Sequence, residues 1–427
     1  MSRDETNARD HAAYRVVAVD ETTRAAFVDM DLLTWFDEVD ERDPEPGGAL
    51  DWDRSYAATA TGEPPFAGVY SSYPMAATVP GPGTSLRQVP MAGLSWVGVH
   101  PDHRRRGVLT TMIEHHFADL HQRGEALAGL HASETAIYGR FGYAVAALDA
   151  IVELGSGAEP DAPGVDTEGI TTELLTLGDE GVRERVYALH LAIAATTLGQ
   201  VTRTSRHADH EYRDRVSDLR GAEPRRVLVA MRGGRDVGYA VLRRRHKWEG
   251  GLPKGTLTCS EHAAADPAVL LALLRRLSAF DLVGTVELFG VAVDSPAIWW
   301  LGGPRAAVRH VFDGVWLRLV DVGAALEQRG YAASCGLVLE VADDRCPWNA
   351  GRWRLTAGTD GSATCRRSDD AADARADQRA LAAMYTGGRR AGELATQGWL
   401  TEVRPGALAD LGAAMATLVA PVPGVGF

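Results

Sequence analysis

One segment constrains the fold more than any other: a strand that passes through an arginine-rich turn and a glycine into an amphipathic helix. Leu94-Ser-Trp-Val-Gly-Val99 reads as a strand with a glycine in its interior, and Gly98 there predicts a bulge or a close backbone approach. His100-Pro-Asp-His103 makes a turn. Arg104-Arg-Arg-Gly-Val-Leu109 then leads into a helix whose apolar positions Val108, Leu109, Met112, Ile113, Phe117 and Leu120 recur at helical spacing. Gly124 stops that helix, and residues 126–130 read as the next strand, parallel to the first.

Such a unit has chemical consequences. The first amides of a helix point outward unpaired and carry partial positive charge from the helix dipole. Gly107 lets a ligand approach that backbone, because no side chain stands in the way. Arg104, Arg105 and Arg106 add full charges and forked donors suited to phosphate oxygens, so a pyrophosphate is the natural guest. A solvated surface turn would explain the arginines but neither Gly98 nor Gly107.

At 427 residues the chain is too long for one ordinary core, and length implies about two to three domains. The blocks run 1–154, 165–305 and 306–427, the first two separated by a Gly- and Pro-rich linker over 155–164. The second block predicts a helix over 181–197, a hairpin of 226–231 and 237–243, a strand at 256–260, a helix from Pro267 to Phe280 and a strand at 285–290. The third predicts strands at 315–320, 336–341 and 352–355, then helices near 373–385 and 406–418. Strands alternating with helices throughout point to an α/β or α+β architecture.

Composition excludes several classes. The formal net charge of −13 argues against nucleic acid, which demands a basic face. No apolar run is long enough to span a bilayer, and the polar N-terminus lacks the apolar core of a signal peptide, so a cytoplasmic location is expected. Four cysteines without a CxxC pair predict buried thiols rather than a disulfide framework or zinc site. His115 and His116, mid-helix, read as structural, and no metal is expected.

Farther on, His131-Ala-Ser-Glu-Thr-Ala-Ile-Tyr138-Gly-Arg-Phe-Gly-Tyr143 follows the second strand. Together with Arg104-Arg105-Arg106-Gly107, this resembles the GNAT superfamily of N-acetyltransferases, whose signature is Arg or Gln, two residues, Gly, one residue and a small residue. Leu109 departs from the small residue at the end. The wording Ser133-Glu-x-x-Ile-Tyr-Gly-Arg-Phe-Gly, the version His-Pro-x-His-Arg-Arg-Arg-Gly-Val-Leu of the cofactor motif, and a C-terminal phenylalanine, Phe427, resemble the enhanced intracellular survival (Eis) family. Motif-level resemblance is strongest over residues 95–143; elsewhere it rests on the three-block layout and the last residue.

The resemblance implies two tandem GNAT-like domains, the second degenerate, followed by a sterol-carrier-like domain. It implies acetyl-CoA as co-substrate, direct attack by a primary amine in a ternary complex, and a homohexamer. Val97, Gly98 and Val99 would run along the pantetheine arm; Arg104, Arg105, Arg106, Gly107, Val108, Leu109 and Thr110 would hold the pyrophosphate; Ser133 and Glu134 would also lie at the cofactor. Tyr138 becomes the candidate general acid, and Phe427 the donor of a terminal carboxylate to the active site. In the second block the corresponding turn, Glu261-His-Ala-Ala-Ala-Asp266, has neither an arginine cluster nor a glycine, so one cofactor site per chain is expected.

The acceptor side is thinly written. Asp29, Asp31, Asp37, Glu38, Asp40, Glu41 and Asp43 surround Trp35 and Phe36, a face that could attract polyamines, aminoglycosides or lysine side chains, or simply a solvated acidic loop. Trp96 could line the acceptor pocket or pack in the core. An acyl-CoA sensor without turnover is the alternative reading.

Overall fold

The computed structural model describes residues 14–36, 47–214, 219 and 221–427. The first part of the chain forms β1 (Arg15–Ala18), α1 (Arg24–Trp35), β2 (Ser55–Thr59), β3 (Gly68–Pro80), β4 (Leu86–Val99), α2 (Val108–Arg123), β5 (Leu127–Leu130), α3 (Thr135–Tyr138) and β6 (Ala144–Val145). Next come β7 (Leu148–Gly155), β8 (Ile170–Thr176), α4 (Val182–Ala194), β9 (Val201–Thr202), α5 (Ser205–Tyr212), β10 (Arg226–Arg232), β11 (Arg235–Arg245), the small ribbon β12 (Trp248–Glu249) and β13 (Leu252–Pro253), β14 (Gly255–Ala264), α6 (Pro267–Ser278) and β15 (Val283–Val291). After α7 (Pro296–Trp300) and α8 (Pro304–Ala307) follow β16 (Val308–Asp313) and β17 (Trp316–Leu319). The last part holds α9 (Val322–Gln328), β18 (Cys335–Ala342), β19 (Gly351–Ala357), β20 (Ala363–Arg367), β21 (Ala374–Asp377), α10 (Gln378–Met384), α11 (Ala391–Thr396), β22 (Leu400–Glu402) and α12 (Ala407–Met415).

Helix α2 forms where the apolar spacing puts it. Val108, Met112, Ile113, Phe117 and Leu120 are buried on one face, and Gly124 at φ 72° closes it in the left-handed conformation. Burying each large side chain of that stripe is worth about 1.5–3 kcal/mol. The face packs on a sheet ordered β1-β2-β3-β4-β5-β17-β6, with β9 added beside β3. The second sheet runs β16-β7-β15-β14-β11-β10-β8, and the third β20-β19-β18-β21-β22. The fold is thus two α/β domains, each built on its own seven- or eight-stranded sheet, followed by a smaller α+β domain on a five-stranded sheet.

Four strands lie in other sheets than the block boundaries imply: β9 joins the first sheet, β16 the second, and two segments read as strands from the sequence also move. Residues 148–155, expected to close the first block, pair as β7 with β15 and β16 of the second sheet. Residues 316–319, expected in the third block, instead lie as β17 between β5 and β6 of the first sheet. Burial explains both. The side chains of Ala150, Val152 and Leu154 alternate inward onto the second domain's core, whereas all of β17 is buried, as befits a central strand covered on both faces. Each of the first two domains therefore holds a strand from across the boundary. A smaller difference lies at 373–385, where the expected helix is strand β21 followed by α10.

The third domain is fused to the first. One apolar cluster runs from Phe27, Met75 and Met91 to Leu337, Leu381 and Leu411. Arg318 of β17, fully buried, reaches both carboxylate oxygens of Asp343 at 2.8 Å. This attachment sets the course of the chain's last residues.

Candidate active site

Parallel strands β4 and β5 pair only at Ala92–Ala128 and Gly93–Gly129. Beyond Gly93 they part, and residues 94–99 keep β3 as their partner. The pairing with β3 itself slips: Val69 faces Gly98 and Ser71 faces Ser95, so Trp96 and Val97 together oppose one residue, Tyr70. The bulge expected at Gly98 is therefore centred on Trp96, which adopts φ 56°. Gly98 fits the other expected reading, a close approach. A methyl group there would lie 2.9 Å from Thr34 Oγ1, so the glycine lets α1 approach β4.

At the far end of β4 the turn carries Arg105 at φ 61° and Gly107 at φ 86°. Gly107 is the residue before α2, and no side chain caps this helix. The amides of Val108, Leu109 and Thr110 thus open the helix without a side-chain acceptor, the arrangement that receives anions. Arg104, Arg105 and Arg106 stand exposed around it. Glu134, likewise exposed beside Ser133, approaches Arg104 only loosely at 3.9 Å. Leu109 is half-buried against the apolar cluster of the first domain, where a smaller residue would leave part of that surface unfilled.

Tyr138 ends α3, buried to 7% exposure with its ring 6.0 Å from that of Tyr143. Burial, and secondarily the Glu134 charge, push its phenol up to about 12, so it stays protonated at neutral pH. Of the tentative acceptor residues, Trp35 is 47% exposed at the end of α1. Trp96 is half-buried, donates from Nε1 to Tyr73 Oη at 2.7 Å and tilts against Phe27. Asp37, with Glu38, Asp40, Glu41 and Asp43, lies outside the described residues. His116 is a core residue held neutral by burial, its pKa lowered to about 3, and His115 bonds the Tyr70 hydroxyl at 2.7 Å.

The C-terminal tail threads between the first two domains. Val422 N–H donates to Leu198 O at 2.8 Å, and Val315 N–H to Pro423 O at 3.0 Å. His131, one residue beyond β5, lies with Nε2 3.1 Å from Val425 O. Burial lowers its pKa to about 4, against the pull of that carbonyl, so the ring is neutral and donates. Arg203 donates to Gly426 O from Nη2 at 3.0 Å and Nε at 3.2 Å. Phe427 arrives where β4 and β5 diverge: a methyl on Gly93 would come within 2.9 Å of its ring, and His131 meets the ring edge-on at 5.1 Å. Tail-holding residues His131 and Arg203 carry no signal in the sequence, since neither belongs to a motif whose spacing points at the chain terminus.

In the second domain β14 and β15 are parallel from Gly255–Val283 to Cys259–Leu288, then part in the same way. Here the helix entrance is closed. Asp266 caps α6 by accepting the Val269 N–H at 3.0 Å, and Arg232 grips its two carboxylate oxygens at 2.7 and 3.1 Å. The parting strands border a cavity of about 600 Å³ that is also lined by Val422, Gly424, Val425 and Gly426 of the tail and by His131. Asp149 and Asp294 line it. Burial raises Asp149 to about 6, although the N–H groups of Gly290 and Val291 favour its charged form, so at neutral pH it is mostly ionised.

Comparisons with known proteins agree with this architecture. Residues 21–146 and 199–319 each match an acetyltransferase (GNAT) domain model, and residues 322–423 a sterol carrier protein domain model. An uncharacterized N-acetyltransferase of Streptomyces coelicolor is 36% identical over 370 residues, 87% of each chain. N-acetyltransferase Eis of Mycobacterium tuberculosis is 33% identical over 324 residues, 72% of this chain and 73% of that one. Among solved structures, Eis1 from Mycobacterium abscessus superimposes with a TM-score of 0.78 at 29% identity, covering 96% of this chain and 98% of that one.

Proposed function

The chain belongs to the Eis family of GNAT N-acetyltransferases, and we propose that it moves an acetyl group from acetyl-CoA to a primary amine of a cationic acceptor, by direct attack in a ternary complex. Acetyl-CoA supplies an activated thioester. The residues fit it: the α2 amides and Arg104–Arg106 receive the pyrophosphate, the bulged stretch Val97–Val99 offers backbone groups to the pantetheine arm, and Ser133 and Glu134 stand at the rim. The extra residue of the Trp96–Val97 bulge, left out of the ladder, supplies the backbone N–H for the oxyanion.

The observation that carries this reading is the seat of Phe427 at the divergence of β4 and β5. A residue at a chain end is ordinarily frayed. This one is packed at the point where the cofactor strand opens, so its carboxylate is available to hold the acceptor ammonium and assist loss of its proton, directly or through water. Tyr138 then protonates the departing thiolate. A phenol at about 12 is a weak acid, but the desolvation that raises it acts equally on a thiolate formed beside it. The cavity lined by Asp149 and Asp294 is the proposed entrance for an aminoglycoside, a polyamine or a lysine side chain.

The test is a thiol-release assay with acetyl-CoA and a panel of such amines, on the native chain and on one extended past Phe427 by a short tag. Native turnover with a strongly impaired tagged chain is expected. No release with any amine favours the sensor alternative, and equal activity of both chains removes the terminal carboxylate from the mechanism. The same family reading carries a homohexamer, tested by light scattering.

A further inference from the structure

We infer that Arg203, held by Glu261, positions the terminal carboxylate, so that the second acetyltransferase-like domain serves the reaction by anchoring the C-terminal tail. The inference rests on the proposed role of Phe427 in the reaction. Arg203 follows β9 and is 6% exposed. One edge of its guanidinium, Nη2 and Nε, forks onto the carbonyl of Gly426, one peptide bond from the terminal residue. The remaining nitrogen, Nη1, lies 2.6 Å from Glu261 Oε2. Glu261 is fixed in turn by the hydroxyls of Tyr239 at 2.6 Å and Tyr212 at 3.0 Å on its other oxygen.

Stability alone is a poor reason for this arrangement, because burying an arginine–carboxylate pair costs about as much in desolvation as the attraction returns. What the pair does instead is aim a rigid fork, set between β9 of the first sheet and Glu261 of the second, at the tail. The target needs it. Gly426 is exposed, and a methyl group there would meet nothing within 4 Å, so packing does not fix this residue. Without the fork, the two residues after Val425 would depend on the packing of the Phe427 ring. Charge balance adds a second point. A lone arginine here would lower the basicity of the nearby carboxylate, whereas Arg203 neutralised by Glu261 orients the tail with little net charge. Glu261, expected in a turn, lies instead on β14, paired with Val241 of β11, in the stretch beyond the pairing of β14 with β15; only residues 265–266 separate that strand from α6.

The test compares the native chain, Arg203→Lys and the pair Arg203→Met with Glu261→Gln, which leaves neither partner as an unpaired buried charge. Each is made with and without Phe427. Release of Phe427 by carboxypeptidase reads the anchor, and kcat and KM read the reaction. The double substitution is expected to speed release at least about tenfold, because digestion follows the population of the open tail. It should lower kcat about ten- to a hundredfold through misplacement, with the acetyl-CoA KM unchanged. Arg203→Lys, with a charge but no fork, should recover part of both. In the chain lacking Phe427 the double substitution should cost nothing further. An unchanged release rate, or an equal kcat loss with and without Phe427, overturns the positioning role. Full turnover after deletion of Phe427 overturns the carboxylate reading and the positioning role together; turnover lost on deletion but insensitive to Arg203 overturns the positioning role alone.

Discussion

In the first domain the turn between β4 and α2 ends on Gly107 at φ 86°, and the helix begins without a cap. In the second, the turn between β14 and α6 ends on Asp266, whose carboxylate occupies the helix amides and is itself locked by Arg232. Both domains keep parallel strands that part beside the helix. The difference is one of chemistry at the entrance: an anion can enter where backbone amides are unclaimed, and meets a resident carboxylate where they are not. A shared fold therefore does not imply a shared site. One domain presents the proposed cofactor clamp, and the other presents a cavity and a grip on the tail.

Substitutions in the two domains separate their roles. The largest effect is expected at Tyr138. Tyr138→Phe should lower kcat by about 10²–10⁴-fold, the usual range for a lost general acid, with acetyl-CoA affinity little changed. Equal turnover would remove the phenol from the mechanism. Next is Gly107→Val, which places a β-branched residue at φ 86° and blocks the helix entrance. An acetyl-CoA KM raised at least about tenfold is expected, from the loss of more than one charge-assisted hydrogen bond. An unchanged KM would place the pyrophosphate elsewhere.

Asp149 tests the cavity. Its folded pKa of about 6 lies above the ordinary 3.8, so the folded chain binds the extra proton, and stability falls as pH rises from about 4 to about 6. Asp149→Asn should remove that slope, raising the melting temperature above native at pH 7.5 and leaving no difference near pH 4. It should also raise the KM of a diamine acceptor several-fold at pH 7.5 while sparing that of acetyl-CoA. A diamine KM that does not move would take the acceptor out of this cavity. The smallest effect is expected at Asp266→Ala. Loss of the cap should cost about 1 kcal/mol in thermal or denaturant unfolding without altering the acetyl-CoA KM. A changed KM would mean that the second helix entrance takes part in cofactor binding.

Local features of the fold were legible in the sequence wherever one segment determines its own structure. The stripe of α2, its stop at Gly124, the hairpin of β10 and β11 and the proline start of α6 all follow from periodicity and turn chemistry within a few residues. The exchange of β7 and β17 was not legible, because alternation tells which face of a strand is buried and not which sheet buries it. Trp96 is a similar case: left-handed backbone at a tryptophan is opposed by local sterics and is held here by the Tyr73 hydrogen bond and the packing of Phe27. The motif residues at the helix entrance could be read from composition and spacing. Arg203, Glu261, His131 and Asp149 could not, since they meet the tail, its anchor or its cavity through contacts between segments far apart in the chain.

Two domains of one fold are proposed to divide the work, with a cofactor entrance in the first and none in the second. Calorimetric titration of the native chain with acetyl-CoA tests this division most directly. One equivalent bound per chain is expected. Two equivalents, or one that persists unweakened in Gly107→Val, would contradict the division.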